Sequence, residues 1–271
     1  MRFSTNTMLA WRARTSRGVG MATRPVFHTS DVPPYYESVM TDFEFCPGFS
    51  LKQKRRSIHN LHAAYQEAHP KRRLLEVSSR SEDELGFSLS AFNLRIYPRS
   101  NKPSIPVECA FQGSKVFEAG GPYPDLFSAA PRDAKRDERI REGGPMVRFE
   151  FAGRRFPLEP KDAFYNWLYI HALSLPQNAE LAKQALAYDS FTDIEFNPKR
   201  SINCQAMAVA AYVGLSKTGK LGQALTSFGA FLEVVYGMTD GTGTGAQLAS
   251  PADAREDSQV QLSLEELLGQ G

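Results

Sequence analysis

The chain has 271 residues, of which 42% are hydrophobic, 11% aromatic and 23% charged, and its mean hydropathy is −0.37. These globular values exclude collagen-like, coiled-coil and wholly disordered chains, and no apolar run approaches the ~18 residues of a membrane span. Net charge is only +2, yet residues 1–30 carry +5 with no acid and residues 237–271 carry −5, so both ends differ from a near-neutral middle.

In chain order, the opening MRFSTNTMLAWRARTSRGVGMATRP is rich in Arg, Ser and Thr and has no carboxylate before Asp31. That composition suits an organellar transit peptide or a disordered leader over 1–33. The body is then expected over 34–236, a length that one domain with one core can fill. Helical periodicity marks 50–67, 107–118, 131–141, 161–173, 178–187, 202–215 and 220–235, with Ser50 capping the first and Pro131 and Pro160 opening the third and fourth. Strand-like segments are shorter, at 43–46, 74–78, 89–97 and 147–156, the last with Ala152-Gly153 as a hairpin turn. The expected fold class is mainly α, an α+β single domain with helices around a core and a few short strands. From 237 to 271 the sequence reads as a flexible acidic tail, in which Ser263-Leu-Glu-Glu266 can cap one helical turn. Its GTGTG lacks the Lys-Ser/Thr of a phosphate loop.

Three cysteines, Cys46, Cys109 and Cys204, are odd in number and never spaced C-x-x-C, which favours a reducing compartment over a disulfide framework. His59 and His62 are close but lack a third ligand nearby, so neither a metal nor a cofactor is expected. The informative segment is Val107-Glu-Cys-Ala-Phe-Gln-Gly-Ser-Lys-Val-Phe117. On a helix, Glu108, Gln112 and Lys115 share one face, and Val107, Ala110, Phe111 and Phe117 lie on or beside another. An acid, an amide and an amine in line suit a pocket-lining helix, and they are equally what an ordinary solvated helix shows. The basic clusters Lys52, Lys54, Arg55, Arg56 and Lys71, Arg72, Arg73 read either as a solvated helix side or as phosphate contacts. Tyr165, Trp167 and Tyr169 stand among Phe164, Leu168 and Ile170 and read as core.

Glu108, Phe111, Gln112 and Lys115 as E-x-x-F-Q-x-x-K resemble the signature of the NADAR superfamily, the YbiA-like proteins. Leu89-Ser-Ala-Phe-Asn-Leu94 is similar to that family's serine–asparagine–aromatic segment, and Ala130-Pro-Arg-Asp-Ala-Lys135 to its following short helix. Asp193-Ile-Glu-Phe196, then Asn203, resembles its D-x-x-W…N segment, with Phe196 where the wider family has tryptophan. Gly48-Phe-Ser-Leu-Lys-Gln-Lys54, AFQGSKVFEAGGPY and YDSFTDIEFNPKRSINCQA resemble the narrower subfamily of NADAR antitoxins paired with DarT toxins.

The resemblance implies a hydrolase that removes ADP-ribose from guanine in single-stranded DNA by cleaving an N-glycosidic bond. Such a protein would reverse a DarT-type toxin, a form of DNA repair, with ADP-ribose as product. Breaking a ribosyl–nitrogen bond builds oxocarbenium character at the anomeric carbon, which a nearby carboxylate stabilises. Glu108 is the first acid implied and Asp193 the second. Lys115 is the amine able to attack that carbon and hold the opened sugar as a Schiff base, provided its pKa is lowered. The substrate-binding residues implied are Asn93, Phe111, Gln112, Phe196, Asn203, Lys52 and Lys54. Two other functions compete: cleavage of a small N-glycoside resembling a riboflavin-pathway metabolite, and non-catalytic binding of ADP-ribose or nucleic acid. The expected location is intracellular: mitochondrial if residues 1–30 act as a transit peptide, otherwise cytoplasmic or nuclear. No membrane association is expected.

Overall fold

The computed structural model describes residues 20–98 and 103–238; the leader up to residue 19 and the tail from 239, with its Ser263–Glu266 cap, lie outside them. The chain opens with β1 (Gly20–Thr29) and β2 (Tyr36–Phe45), paired antiparallel from Gly20↔Phe45 to Thr29↔Tyr36. With β3 (Leu74–Glu76) and β9 (Ser190–Thr192) they make a four-stranded sheet of order β2-β1-β9-β3. Strand β9 runs antiparallel to β1 and parallel to β3. The sheet therefore reaches back to Gly20, inside the segment expected as leader, and Val26 and Phe27 are 0% and 5% exposed. Pro25 hides this strand in the sequence. It lies beyond the Phe27–His28 stretch that β9 covers, where a strand tolerates a missing N–H.

Helix α1 (Leu51–Ala68) starts at a capping box: the Gln53 backbone N–H donates to Ser50 Oγ at 3.2 Å, and Ser50 N donates back to Gln53 Oε1 at 3.3 Å. Its buried stripe of Ile58, Leu61 and Tyr65 closes a small core with Val26, Phe43 and Ile194. The main core surrounds α6 (Ala163–Ser174) and α8 (Gln205–Lys217), which pack on each other and are buried nearly all round. That is why their sequences are apolar on every face. The architecture is α+β, helices around a core with short strands.

Several expected elements are divided or shortened, four of them for local reasons that the structure shows. The expected strand 89–97 keeps only β4 (Arg95–Ile96), paired with β5 (Ile105–Pro106). Before it, α2 (Glu84–Ser88) ends in a turn whose Ser90 Oγ and Asn93 Nδ2 both donate to Phe87 O. The helix expected over 107–118 stops as α3 (Val107–Gly113), and its last residue packs so close that a Cβ at Gly113 would lie 2.6 Å from the Phe127 ring. The chain then enters β6 (Lys115–Phe117) against the hairpin of β7 (Met146–Phe151) and β8 (Arg154–Phe156). That hairpin turns at Ala152 and Gly153, with φ of 52° and 75°, as a primed turn requires. The segment 131–141 divides into α4 (Pro131–Ala134) and α5 (Glu138–Glu142), since Asp137 accepts from Arg139 N and caps a second helix. Likewise 220–235 becomes α9 (Leu221–Ala224) and α10 (Phe228–Tyr236), where Ser227 accepts from Ala230 N at 3.0 Å. Helix α7 (Ala179–Ala185) follows the expected 178–187.

Candidate active site

Every residue of α3 is buried, and the helix is fixed at its start by the preceding turn. Val107 N and Glu108 N donate to Leu94 O and Ala91 O at 2.9 and 2.8 Å, so that turn satisfies amides a helix start leaves unpaired. Ala91 N in turn donates to Gln205 Oε1 at 2.7 Å at the head of α8, and the Tyr169 hydroxyl on α6 donates to Leu89 O. Segments distant in sequence thus lock the first turn of α3, where Glu108 stands.

From Glu108 a chain of hydrogen bonds runs along one face. Gln112 Nε2 donates to Glu108 Oε1 at 2.9 Å, and Lys115 Nζ donates to Gln112 Oε1 at 2.7 Å. Although α3 ends at Gly113, the long side chain of Lys115 still reaches back to Gln112. Its amine lies 4.7 Å from the centroid of the Phe111 ring, which rests on Phe149 and Tyr165. Burial pushes the Lys115 amine down to about 8; Glu108 opposes the shift and the Lys135 charge adds to it. At that value roughly one amine in ten is unprotonated at pH 7. Lys135, at the end of α4, completes the group: its Nζ is 3.6 Å from Glu108 Oε1, its side chain is 59% exposed, and it overhangs the Phe92 ring.

Asp193 follows β9 and is 9% exposed, its Oδ1 accepting from Glu195 N at 3.0 Å. Behind it lies Glu76, 3% exposed at the end of β3. Glu76 accepts from Ser78 Oγ and Thr192 Oγ1 at 2.6 Å each and from Ile194 N at 2.9 Å, so both chain neighbours of Asp193 bind it. Burial raises the Glu76 pKa, and these three donated hydrogen bonds oppose that rise. Asp193, with one such bond, is pushed up to about 8, by burial first and then by Glu76. Burial thus pushes both acids toward their protonated forms. Lys135 acts on Asp193 as well as pairing with Glu108, and Tyr165 feels both acids, which places them in one electrostatic neighbourhood.

The remaining residues divide by where the fold puts them. Asn93 lies in the turn that holds α3, but its Nδ2 is committed to Phe87 O and Ser90 Oγ. Phe196 is 9% exposed and packs at 6.2 Å on Phe27, so it supports the Asp193 turn more than it offers an open face. Asn203 keeps a buried Oδ1 with no hydrogen-bond partner, next to the Cys204 that precedes α8. Lys54 pairs with Glu195 at 3.0 Å, two residues from Asp193, and Lys52 is exposed. Sequence reasoning missed the roles of Lys135 and Glu76. The first had a signal in its motif block, while the second is brought in only by the β3–β9 pairing. Among the described residues no three His, Cys, Asp or Glu side chains gather as a metal site, and the three cysteines are buried and free.

The fold together with this buried line of acid, amide and amine is that of a NADAR domain. A family model described as DarT1-associated NADAR antitoxin matches residues 22–242, and the chain belongs to that family, which implies a DarT toxin as its counterpart. No curated protein matches the chain. No helix among the described residues is long and apolar enough to cross a membrane.

Proposed function

We propose that the protein is an N-glycosyl hydrolase that removes ADP-ribose from guanine bases of single-stranded DNA, undoing the modification made by a DarT-type toxin. The observation that carries this reading is the Glu108–Gln112–Lys115 chain, with its half-buried amine of lowered pKa beside an ion-paired carboxylate. In this mechanism the Lys115 lone pair forms a bond to the anomeric carbon as the carbon–nitrogen bond to guanine breaks. The electron pair leaves with guanine, and a proton from Asp193, which is protonated at neutral pH, neutralises it. The Glu108 carboxylate stabilises the positive charge that develops on the sugar. Ring opening gives a Schiff base on Lys115, and water then releases ADP-ribose and restores the amine. Gln112 holds the two reacting groups at a fixed separation by donating to one and accepting from the other. Incubation with single-stranded DNA carrying ADP-ribosyl-guanine should release ADP-ribose and leave intact guanine. A strand that keeps its modification would refute the activity.

A further inference from the structure

Phe49 has the most exposed large apolar side chain among the described residues, at 97%. Its backbone is held in place. Gly48 takes φ 133°, a Cβ there would lie 2.1 Å from Gln53 Oε1, and the Ser50–Gln53 capping box closes directly after the ring. A phenyl group is thus presented to water on the fixed start of a helix. Its neighbour Leu51 is 43% exposed. Lys52 and Arg56, both exposed, follow one turn apart on the same side of α1, and among the described residues no ion pair engages either.

This helix start adjoins the catalytic neighbourhood. Lys54 binds Glu195 at 3.0 Å and Arg80 approaches the same carboxylate at 3.6 Å, so the acid beside Asp193 is neutralised. The loop beyond Glu195 adds exposed Lys199 and Arg200 and a 52% exposed Ile202. An open aromatic face followed by unpaired cations complements a polyanion with flat apolar rings.

We propose that Phe49 is a stacking platform for a base of the DNA strand that flanks the modified guanine, with Lys52 and Arg56 taking its phosphates. This rests on the reading of the chain as acting on DNA. Stacking tolerates any base, and a duplex, whose bases already stack on one another, offers no free face to it.

The test is fluorescence anisotropy of the full chain with an unmodified, labelled single-stranded oligonucleotide. Phe49→Ala should weaken binding roughly 5- to 150-fold, and Phe49→Trp should keep it. Removing Lys52 and Arg56 together should lower the slope of log affinity against log salt by about 1.4. The binding measurement involves no bond cleavage, so it reads the same whether or not the glycosidase assignment holds. In turnover, Phe49→Ala should slow release from a modified strand far more than release from the modified mononucleotide. An unchanged strand affinity in Phe49→Ala, or equal slowing on both substrates, would overturn the platform. So would a loss of toxin binding in Phe49→Ala with DNA binding intact, since the occupant would then be a protein.

Discussion

At the level of single residues, the site is a relay in which Gln112 separates an acid from an amine. Glu108→Gln keeps the volume and can keep the Gln112 contact, but removes the charge that faces a developing cation. Turnover should fall by about two or more orders of magnitude with substrate binding retained, the scale expected for a lost electrostatic group. Normal turnover in single-turnover assays would remove Glu108 from the mechanism. Lys115→Arg tests the covalent step differently, because guanidinium keeps the charge and cannot act as the nucleophile. Borohydride added during turnover should trap an ADP-ribose adduct that peptide mass spectrometry places on Lys115, and Lys115→Arg should lose both adduct and release. Release that persists in Lys115→Arg would assign the attack to water. These three positions were legible in the sequence because they are close along the chain. Lys135 was visible only as part of a motif, since its approach to Glu108 at 3.6 Å depends on how α4 folds back over α3.

At the level of elements, the pairing of β3 with β9 joins segments more than a hundred residues apart at the candidate site. The register Glu76↔Thr192 brings a buried carboxylate against the strand that Asp193 directly follows, and no spacing rule connects residues 76 and 193. The relay continues outward. Thr192 Oγ1 donates to Glu76 Oε2, which leaves it to accept from His62 Nε2 at 2.8 Å, and burial pushes that imidazole down to about 4, so it is neutral at pH 7. His62 and Glu76 also line a cleft of about 210 Å³ with Arg55, His59, Glu82 and Asp83, giving the relay a solvent end. If Glu76 keeps Asp193 protonated, Glu76→Gln removes a like charge and lowers the Asp193 pKa. On the proposed mechanism Asp193 acts in its protonated form, so activity should fall as pH rises through about 8 in the natural protein. In Glu76→Gln that alkaline limb should move to lower pH by about one unit or more. Carboxyl carbon NMR of Asp193 reads the same shift without turnover, and an unmoved titration in a folded Glu76→Gln protein would sever the link. The sign for stability agrees. The folded state holds this proton between about 4 and 8 where the unfolded chain does not, so the acid's contribution declines as pH rises across that window.

At the level of the whole molecule, the helices were the legible part, because burial on one face leaves a periodic mark in α1 and burial on all faces leaves long apolar runs in α6 and α8. Their breaks were harder to read: Asp137 and Ser227 look like interior residues until their side chains are seen capping a new helix. The largest miss is the β1–β2 hairpin, whose sequence mixes Pro25 with polar residues and whose pairing is settled by contacts far along the chain. The miss alters where the domain can be trimmed. A chain cut to 34–236 would lose β1 entirely, and with it Val26 from the α1 core and Phe27 from the main core. Burial of two such side chains contributes roughly 3–6 kcal/mol, a large share of the ~5–15 kcal/mol that holds a domain together. Strand β9 would keep only β3 as a neighbour, and Phe196 would lose the ring that braces the Asp193 turn. A chain of residues 20–238 should therefore unfold in urea as one cooperative transition and retain activity, whereas 34–236 should be unfolded or far less stable by circular dichroism. Equal midpoints for the two chains would show that β1 adds nothing to the core.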